Sequence, residues 1–180
     1  MKKLKLNIEK IFGYDLNAGD IVYLSGDIVT ARDKAHLRAV KLIKENKIEE
    51  VPTELFHLPI YHCGPLIKNS KVVSAGPTTS ARMNEYAPLI LEFSKCPIII
   101  GKGGMNEGVV KKLEGRGYYL SFPGGAGALA AECIKEIKKI YWSDLGMAEA
   151  VYVFRVENFG PCIVAIDKKG RNLYVERSQK

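Results

Sequence analysis

Short apolar runs alternate along this chain with segments whose apolar residues recur at helical spacing. Ile21 to Val29, Lys71 to Ala75, Cys96 to Ile100 and Tyr118 to Phe122 read as strands, the first within a strand or hairpin over residues 3–30. Helices are expected over about 31–47, 78–94, 105–114 and 126–140, with extended chain near 55–75. The tail reads as strands at Ala150–Val156, Cys162–Ile166 and Asn172–Val175, with Lys168 to Arg171 turning between the last two. Strands interleaved with helices and followed by a strand-rich tail give an α/β chain, a mixed sheet with packed helices. No linker, internal repeat or low-complexity stretch interrupts it, so residues 1–180 are expected to form one domain.

Composition fits this picture. Apolar residues make up 47% and charged residues 26% of 180 positions, the balance of a globular chain able to bury a core. The net charge of +7 raises the question of nucleic acid. The lysines at 41–47, 111–112 and 135–139 alternate with glutamate on helical faces and no aromatic-studded basic motif accompanies them, so they read as solvated surface and not as a nucleic-acid site. No apolar run approaches the roughly 18–20 residues that cross a bilayer, and the first residues lead into alternation and not a signal-peptide core. No membrane association and a cytoplasmic location are expected.

Candidate chemistry gathers at strand ends. Gly76-Pro77-Thr78-Thr79-Ser80-Ala81-Arg82 follows a strand and enters the expected helix at 78, which would put Thr78 and Thr79 at a helix N-terminus, where unpaired N–H groups and the dipole receive anions. Arg82 adds a planar fork suited to a carboxylate. Thr30-Ala31-Arg32-Asp33 opens another helix with a Thr-x-x-Asp capping pattern, and Gly101-Lys102-Gly103-Gly104 leaves a lysine uncrowded after a third strand. Ligands of open α/β sheets collect beyond the carboxyl ends of strands. Arg32, Thr78, Thr79, Arg82 and Lys102 together would suit a small, doubly negative acid.

The remaining reactive side chains form no metal pattern. Cys63, Cys96, Cys133 and Cys162 lie about thirty or more residues apart without a C-x-x-C or ferredoxin-like spacing, and read as small buried hydrophobes. His57 and His62 flank Pro59, which prevents one helix from aligning them, and His36 reads as a local hydrogen-bonding residue. One motif points elsewhere. Gly125-x-Gly127-x-x-Ala130 after a strand satisfies a loose dinucleotide fingerprint, although the acid expected roughly 20 residues later is poorly placed, with Asp144 early and Glu157 late.

Leu24-Ser25-Gly26 with Thr30-Ala31-Arg32-Asp33 and His36, then Ile60-Tyr61-His62-Cys63-Gly64-Pro65, then Gly76 to Met83, resembles the C-terminal part of class I, iron–sulfur fumarate hydratases. The likeness continues through Ile100-Gly101-Lys102-Gly103, Phe122-Pro123-Gly124-Gly125 and Glu157 to Asp167, covering nearly the whole chain in order. Some members of that family are single long chains, and others, tartrate dehydratases among them, divide into large and small subunits. At 180 residues this chain resembles the small, or beta, subunit.

The resemblance implies a swivelling β/β/α domain and a hydro-lyase, with fumarate and (S)-malate as the expected substrate pair and tartrate dehydration as the alternative. It implies a [4Fe-4S] cluster held by an iron–sulfur alpha subunit and not by this chain, in a hetero-oligomer such as a dimer of heterodimers. It implies Arg32, Arg82 and Lys102 on the substrate carboxylates, Thr79 in contact with substrate, and Thr78 as the catalytic residue near the abstracted proton, working with a partner carboxylate. A dinucleotide- or anion-binding module without hydratase activity is the alternative from another class.

Overall fold

The computed structural model describes residues 2–178. Nine strands, β1 (Lys3–Asn7), β2 (Ile21–Thr30), β3 (Ile60–Tyr61), β4 (Leu66–Lys68), β5 (Lys71–Ser74), β6 (Ile98–Gly101), β7 (Tyr118–Ser121), β8 (Ile134–Tyr141) and β9 (Val151–Ile166), combine with six helices. The helices are α1 (Asp33–Lys44), α2 (Glu54–His57), α3 (Ala87–Phe93), α4 (Glu107–Leu113), α5 (Gly127–Cys133) and α6 (Leu173–Ser178). The architecture is α/β, with a mixed sheet in the order β1-β2-β3-β6-β7-β9-β8 and a separate β4-β5 hairpin.

β2, β3, β6 and β7 run parallel, and β9 pairs antiparallel with both β7 and β2, so the pairings return to their starting strand and close a ring. Parallel strands covered on both faces carry unbroken apolar runs, because alternate side chains enter different cores. Ile98 and Ile100 join Tyr118, Leu120, Phe122, Phe154 and Phe159 on one side, while Ile99 and Tyr119 pack with Leu91, Val109 and Leu113 of α3 and α4 on the other. A third cluster seats Ala35, Ala39, Val40 and Ile43 of α1 against Val29, Ile60, Val151 and Val153. The helical spacing of those α1 residues is what the sequence shows, and Asn46 at φ 56° turns the chain just past its end.

Several expectations need correction. Residues 3–30 are not a hairpin. β1 lies parallel to β2 across a 3-10 turn at Ile8–Gly13, and the Asp20 carboxylate accepts the amides of Lys2 and Asn17 to fix the return. Within the stretch expected to be extended, Glu54–His57 is a helical turn. The helix expected over 78–94 is interrupted: Ser80–Met83 is a 3-10 turn, and α3 begins only at Ala87, with proline in its first turn. Pro88 has no N–H, and its ring would strike the carbonyl of residue 84 inside a continuous helix.

The helix expected over 126–140 stops at Cys133, and the chain continues as β8 along β9. Ile134, Ile137 and Ile140 at three-residue spacing mimic a helical face, but irregularities at 134/136 and 137/139 each insert a residue into the strand. A bulge shifts the alternation by one, so a strand with two of them reproduces a three-residue repeat. The tail strands expected at 150–156 and 162–166 are one strand, β9, and the third is replaced by a single bridge from Asn172 to Ile166 followed by α6. The turn at Lys168–Arg171 is present, with Gly170 at φ 77°. No helix among the described residues is long and apolar enough to cross a membrane.

Candidate functional site

Because β2, β3 and β6 are parallel with Thr30 beside Tyr61 and Tyr61 beside Ile100, their carboxyl ends open at one edge. Arg32, the segment His62–Gly64 and Lys102 follow directly. The stretch after β5 crosses that edge as an added piece of extended chain. The amide of Thr78 donates to the His62 carbonyl at 2.7 Å, and its carbonyl accepts from the Lys102 amide at 3.4 Å. Ser80 N–H then donates to the Lys102 carbonyl at 2.9 Å, and Cys63 bridges Pro77 as Thr79 bridges Lys102. Thr78 and Thr79 are thus fixed by sheet-like pairing, which corrects their expected place at an α-helix N-terminus: Thr79 has extended backbone and only a 3-10 turn follows. The hydroxyls of both threonines and the ammonium of Lys102 enter no hydrogen bond or ion pair among the described residues.

Glycine at 101 lets this layer close up. A Cβ there would lie 1.9 Å from Ser80 Oγ and 3.3 Å from His62 Nδ1. Ser80, His62 and His36 are fully buried at this level, with Ser80 Oγ 2.8 Å from His62 Nδ1 and the two imidazoles edge-to-face at 5.0 Å. His36 Nδ1 donates to the Arg32 carbonyl at 3.0 Å, the local role the sequence suggests. Burial pushes the His36 pKa down to about 4 and lowers that of His62 as well, so both rings are neutral. Their Nε2 atoms have no hydrogen-bond partner among the described residues.

The arginines meet through carboxylates. Arg82 donates from Nε and Nη2 to the two oxygens of Asp33 at 2.9 and 2.5 Å, and Asp33 also stands 3.5 Å from Arg32 Nε. Arg32 Nε is 2.9 Å from Glu149 Oε1, an ion pair not aligned as a hydrogen bond. The Arg82 hydrogen bonds, opposed by partial burial, hold the Asp33 carboxyl below its usual range, and Asp33 raises Arg82 in turn. The Thr-x-x-Asp cap does not form. Thr30 Oγ1 instead accepts the Tyr152 amide, Arg32 is the capping position, and Glu149 Oε2 accepts the Lys34 amide at 2.8 Å in the first turn.

Arg32, Thr78, Thr79, Arg82 and Lys102 are therefore brought to one edge, by hydrogen-bonded backbone for Thr78, Thr79 and Lys102 and by a chain of alternating charge for the arginines. A groove of about 640 Å³ along α1, lined by Leu37, Arg38, Lys41, Trp142 and Leu145 among others, contains none of them. The site is an open edge.

A family described as Fumarase C-terminus matches residues 2–177. The chain belongs to this family. It stands with the C-terminal domain or beta subunit of the class I fumarate hydratases and tartrate dehydratases. A Methanocaldococcus jannaschii protein named "Putative L(+)-tartrate dehydratase subunit beta" is 45% identical over 92% of this chain and 87% of its own length. The L(+)-tartrate dehydratase subunit beta of Escherichia coli K12 is 37% identical over 92% of this chain and 82% of its own. A Geobacillus stearothermophilus protein named "Putative fumarate hydratase class I" is 34% identical over 91% of this chain, which spans 32% of that longer protein.

Membership sharpens the reading of the cysteines. Cys63, Cys96 and Cys162 are buried, all four are free thiols, and burial pushes Cys96 up to about 12 and raises the other three. Among the described residues no three His, Cys, Asp or Glu side chains gather as metal ligands. Gly127 is a packing residue: a Cβ on it would lie 2.4 Å from Ser74 Oγ and 3.2 Å from the Gly76 amide, so α5 sits against the backbone that leads to Thr78, while Gly125 serves the turn at φ 77°.

Asp33 and Glu149 escape the sequence reading as site residues. Asp33 has a local signal, since it adjoins Arg32 and heads a helix, but that signal reads as a cap. Glu149 has none, because 115 positions separate it from Lys34.

Proposed function

We propose that the chain is the beta subunit of a hydro-lyase that adds or removes water across a four-carbon dicarboxylic acid, completed by an alpha subunit that holds the iron–sulfur cluster. The observation that supports the reading is the edge beyond the parallel strand ends, where backbone pairing joins the segments of Thr78, Thr79 and Lys102 and shared carboxylates join Arg32 and Arg82. The substrate must lose a weakly acidic proton from the carbon beside a carboxylate as hydroxide leaves the neighbouring carbon. Negative charge then spreads onto that carboxylate, and fixed cations stabilise it where water is excluded.

Arg32, Arg82 and Lys102 bind and orient the two carboxylates in this reading. Thr79 contacts substrate. Thr78 stands at the proton being moved, its backbone pinned on both sides by His62 and Lys102. A threonine hydroxyl is too weak a base to act by itself, so Thr78 works with a carboxylate of the alpha subunit.

Fumarate and (S)-malate are the pair expected from the sequence. The names of the M. jannaschii and E. coli relatives favour L-tartrate as a second reading. Co-expression with the alpha subunit, followed by anaerobic assays with fumarate, (S)-malate and L-tartrate, tests both. The larger kcat/KM assigns the substrate, and no turnover of any of the three refutes the hydro-lyase.

A further inference from the structure

Charges alternate along Arg82–Asp33–Arg32–Glu149, which come from the 3-10 turn before α3, the first residue of α1, the capping position just before it and the loop between β8 and β9. The two guanidiniums would repel each other at this edge, and Asp33 lies between them. Its side chain is 36% exposed and that of Arg82 47%, so as an isolated ion pair in contact with solvent it would add little to stability. Stability does not account for the geometry. The contact is a two-point fork, and the same carboxylate reaches the second arginine.

The fork also decides which edge of Arg82 remains. A guanidinium has five N–H donors in a plane. With Nε and one Nη2 hydrogen given to Asp33, both Nη1 hydrogens and the second Nη2 hydrogen are left, and one Nη1 hydrogen with that Nη2 hydrogen forms the end-on edge that matches a second carboxylate.

The loop between β8 and β9 steadies the other arginine. Glu149 binds the Lys34 amide as well as Arg32, and Arg38 holds Asp144 of the same loop through two hydrogen bonds.

We propose that Asp33 is a positioning residue: it holds Arg82 against Arg32 in one register and leaves the end-on edge of Arg82 for a substrate carboxylate. This rests on the hydro-lyase reading above. Asp33 touches no reacting atom. Its loss leaves both cations in the site but lets Arg82 swing, so substrate is bound less well while the proton-moving groups stay in place.

The test uses Asp33→Asn and Asp33→Glu in the complex with the alpha subunit, together with the chain alone. Asp33→Asn is expected to raise KM about tenfold and to change kcat by less than about threefold. Asp33→Glu, which keeps the charged acceptor, is expected to recover part of the KM. In nitrogen-15 spectra of the chain alone, the Arg82 Nε–H signal, identified by its loss in Arg82→Lys, is expected to shift and exchange faster with solvent in Asp33→Asn. An unmoved Arg82 signal overturns the proposal, as does an unchanged KM in a folded Asp33→Asn complex. If the wild-type complex turns over no dicarboxylic acid, the hydro-lyase reading and the substrate-facing half of this proposal fall together, and the spectrum still decides whether Asp33 holds Arg82.

Discussion

Ser80 Oγ lies 2.8 Å from His62 Nδ1, and both side chains are fully buried where Gly101 ends its strand. This contact backs the segment that carries Thr78, whose amide is held by the carbonyl of the same His62. The site therefore depends on a layer of neutral, tightly packed polar groups beneath it.

Gly101→Ala should disturb that layer. Its new Cβ would overlap the Ser80 hydroxyl, so a loss of roughly 1–3 kcal/mol of stability is expected from overpacking. In a Ser80→Ala background the same substitution should cost clearly less, because the nearest remaining atoms stand at 3.3 Å. Urea unfolding of the four proteins measures the coupling, and additive losses would contradict the packing described.

The buried imidazoles make stability depend on pH. Folding lowers the His36 pKa from 6.5 to about 4, chiefly by desolvation, so between those values the unfolded chain binds more protons than the folded one. Stability from this histidine is fully present above pH 6.5 and is lost as pH falls toward 4, at up to about 1.4 kcal/mol per pH unit. His62 acts in the same direction. Denaturant unfolding between pH 7.5 and 5 should show a smaller loss in His36→Gln than in wild type, and equal losses would contradict the assignment.

The strands β2, β6 and β7 and the strand-end motifs were legible because each is written locally, as an apolar run followed by Gly, Thr or Arg, whereas the two-residue β3 is too short to show as one. What fixes the site is not local. The Asp33–Arg82 fork joins positions 49 apart, and the extended pairing of Thr78 with His62 and Lys102 needs three separate segments. Pro88 did signal a break in the helix expected over 78–94, whereas the bulges of β8 disguise a strand as a helix until β9 is placed beside it. The run of isoleucines there was the available sign of a strand.

Arg82→Lys keeps charge but loses the two-point fork to Asp33 and the planar edge beside it. In the complex, kcat/KM is expected to fall roughly tenfold to a thousandfold, or about 1.4–4 kcal/mol of transition-state stabilisation. Stability should change little, because the side chain is half exposed. Turnover near that of wild type would make the arginine an ordinary surface residue.

Binding and chemistry should separate by residue. Arg32→Ala and Lys102→Ala are expected to raise KM, with some loss of kcat because carboxylate charge grows toward the transition state. Thr78→Ala should mainly lower kcat and abolish exchange of the substrate's carbon-bound proton with solvent, while a competitive dicarboxylate inhibitor binds almost as well. Steady-state kinetics and deuterium incorporation measure the two effects. Proton exchange at the wild-type rate in a folded Thr78→Ala complex would demote Thr78 to a structural residue.

The most direct test of the whole reading is anaerobic dehydratase activity measured side by side for the isolated chain, for the chain with the proposed iron–sulfur alpha subunit, and for that alpha subunit alone. An edge that supplies cations and hydroxyls to a cluster held elsewhere predicts turnover of fumarate, (S)-malate or L-tartrate only when both subunits are present. Full activity in either subunit alone, or none in the assembled pair, would contradict it.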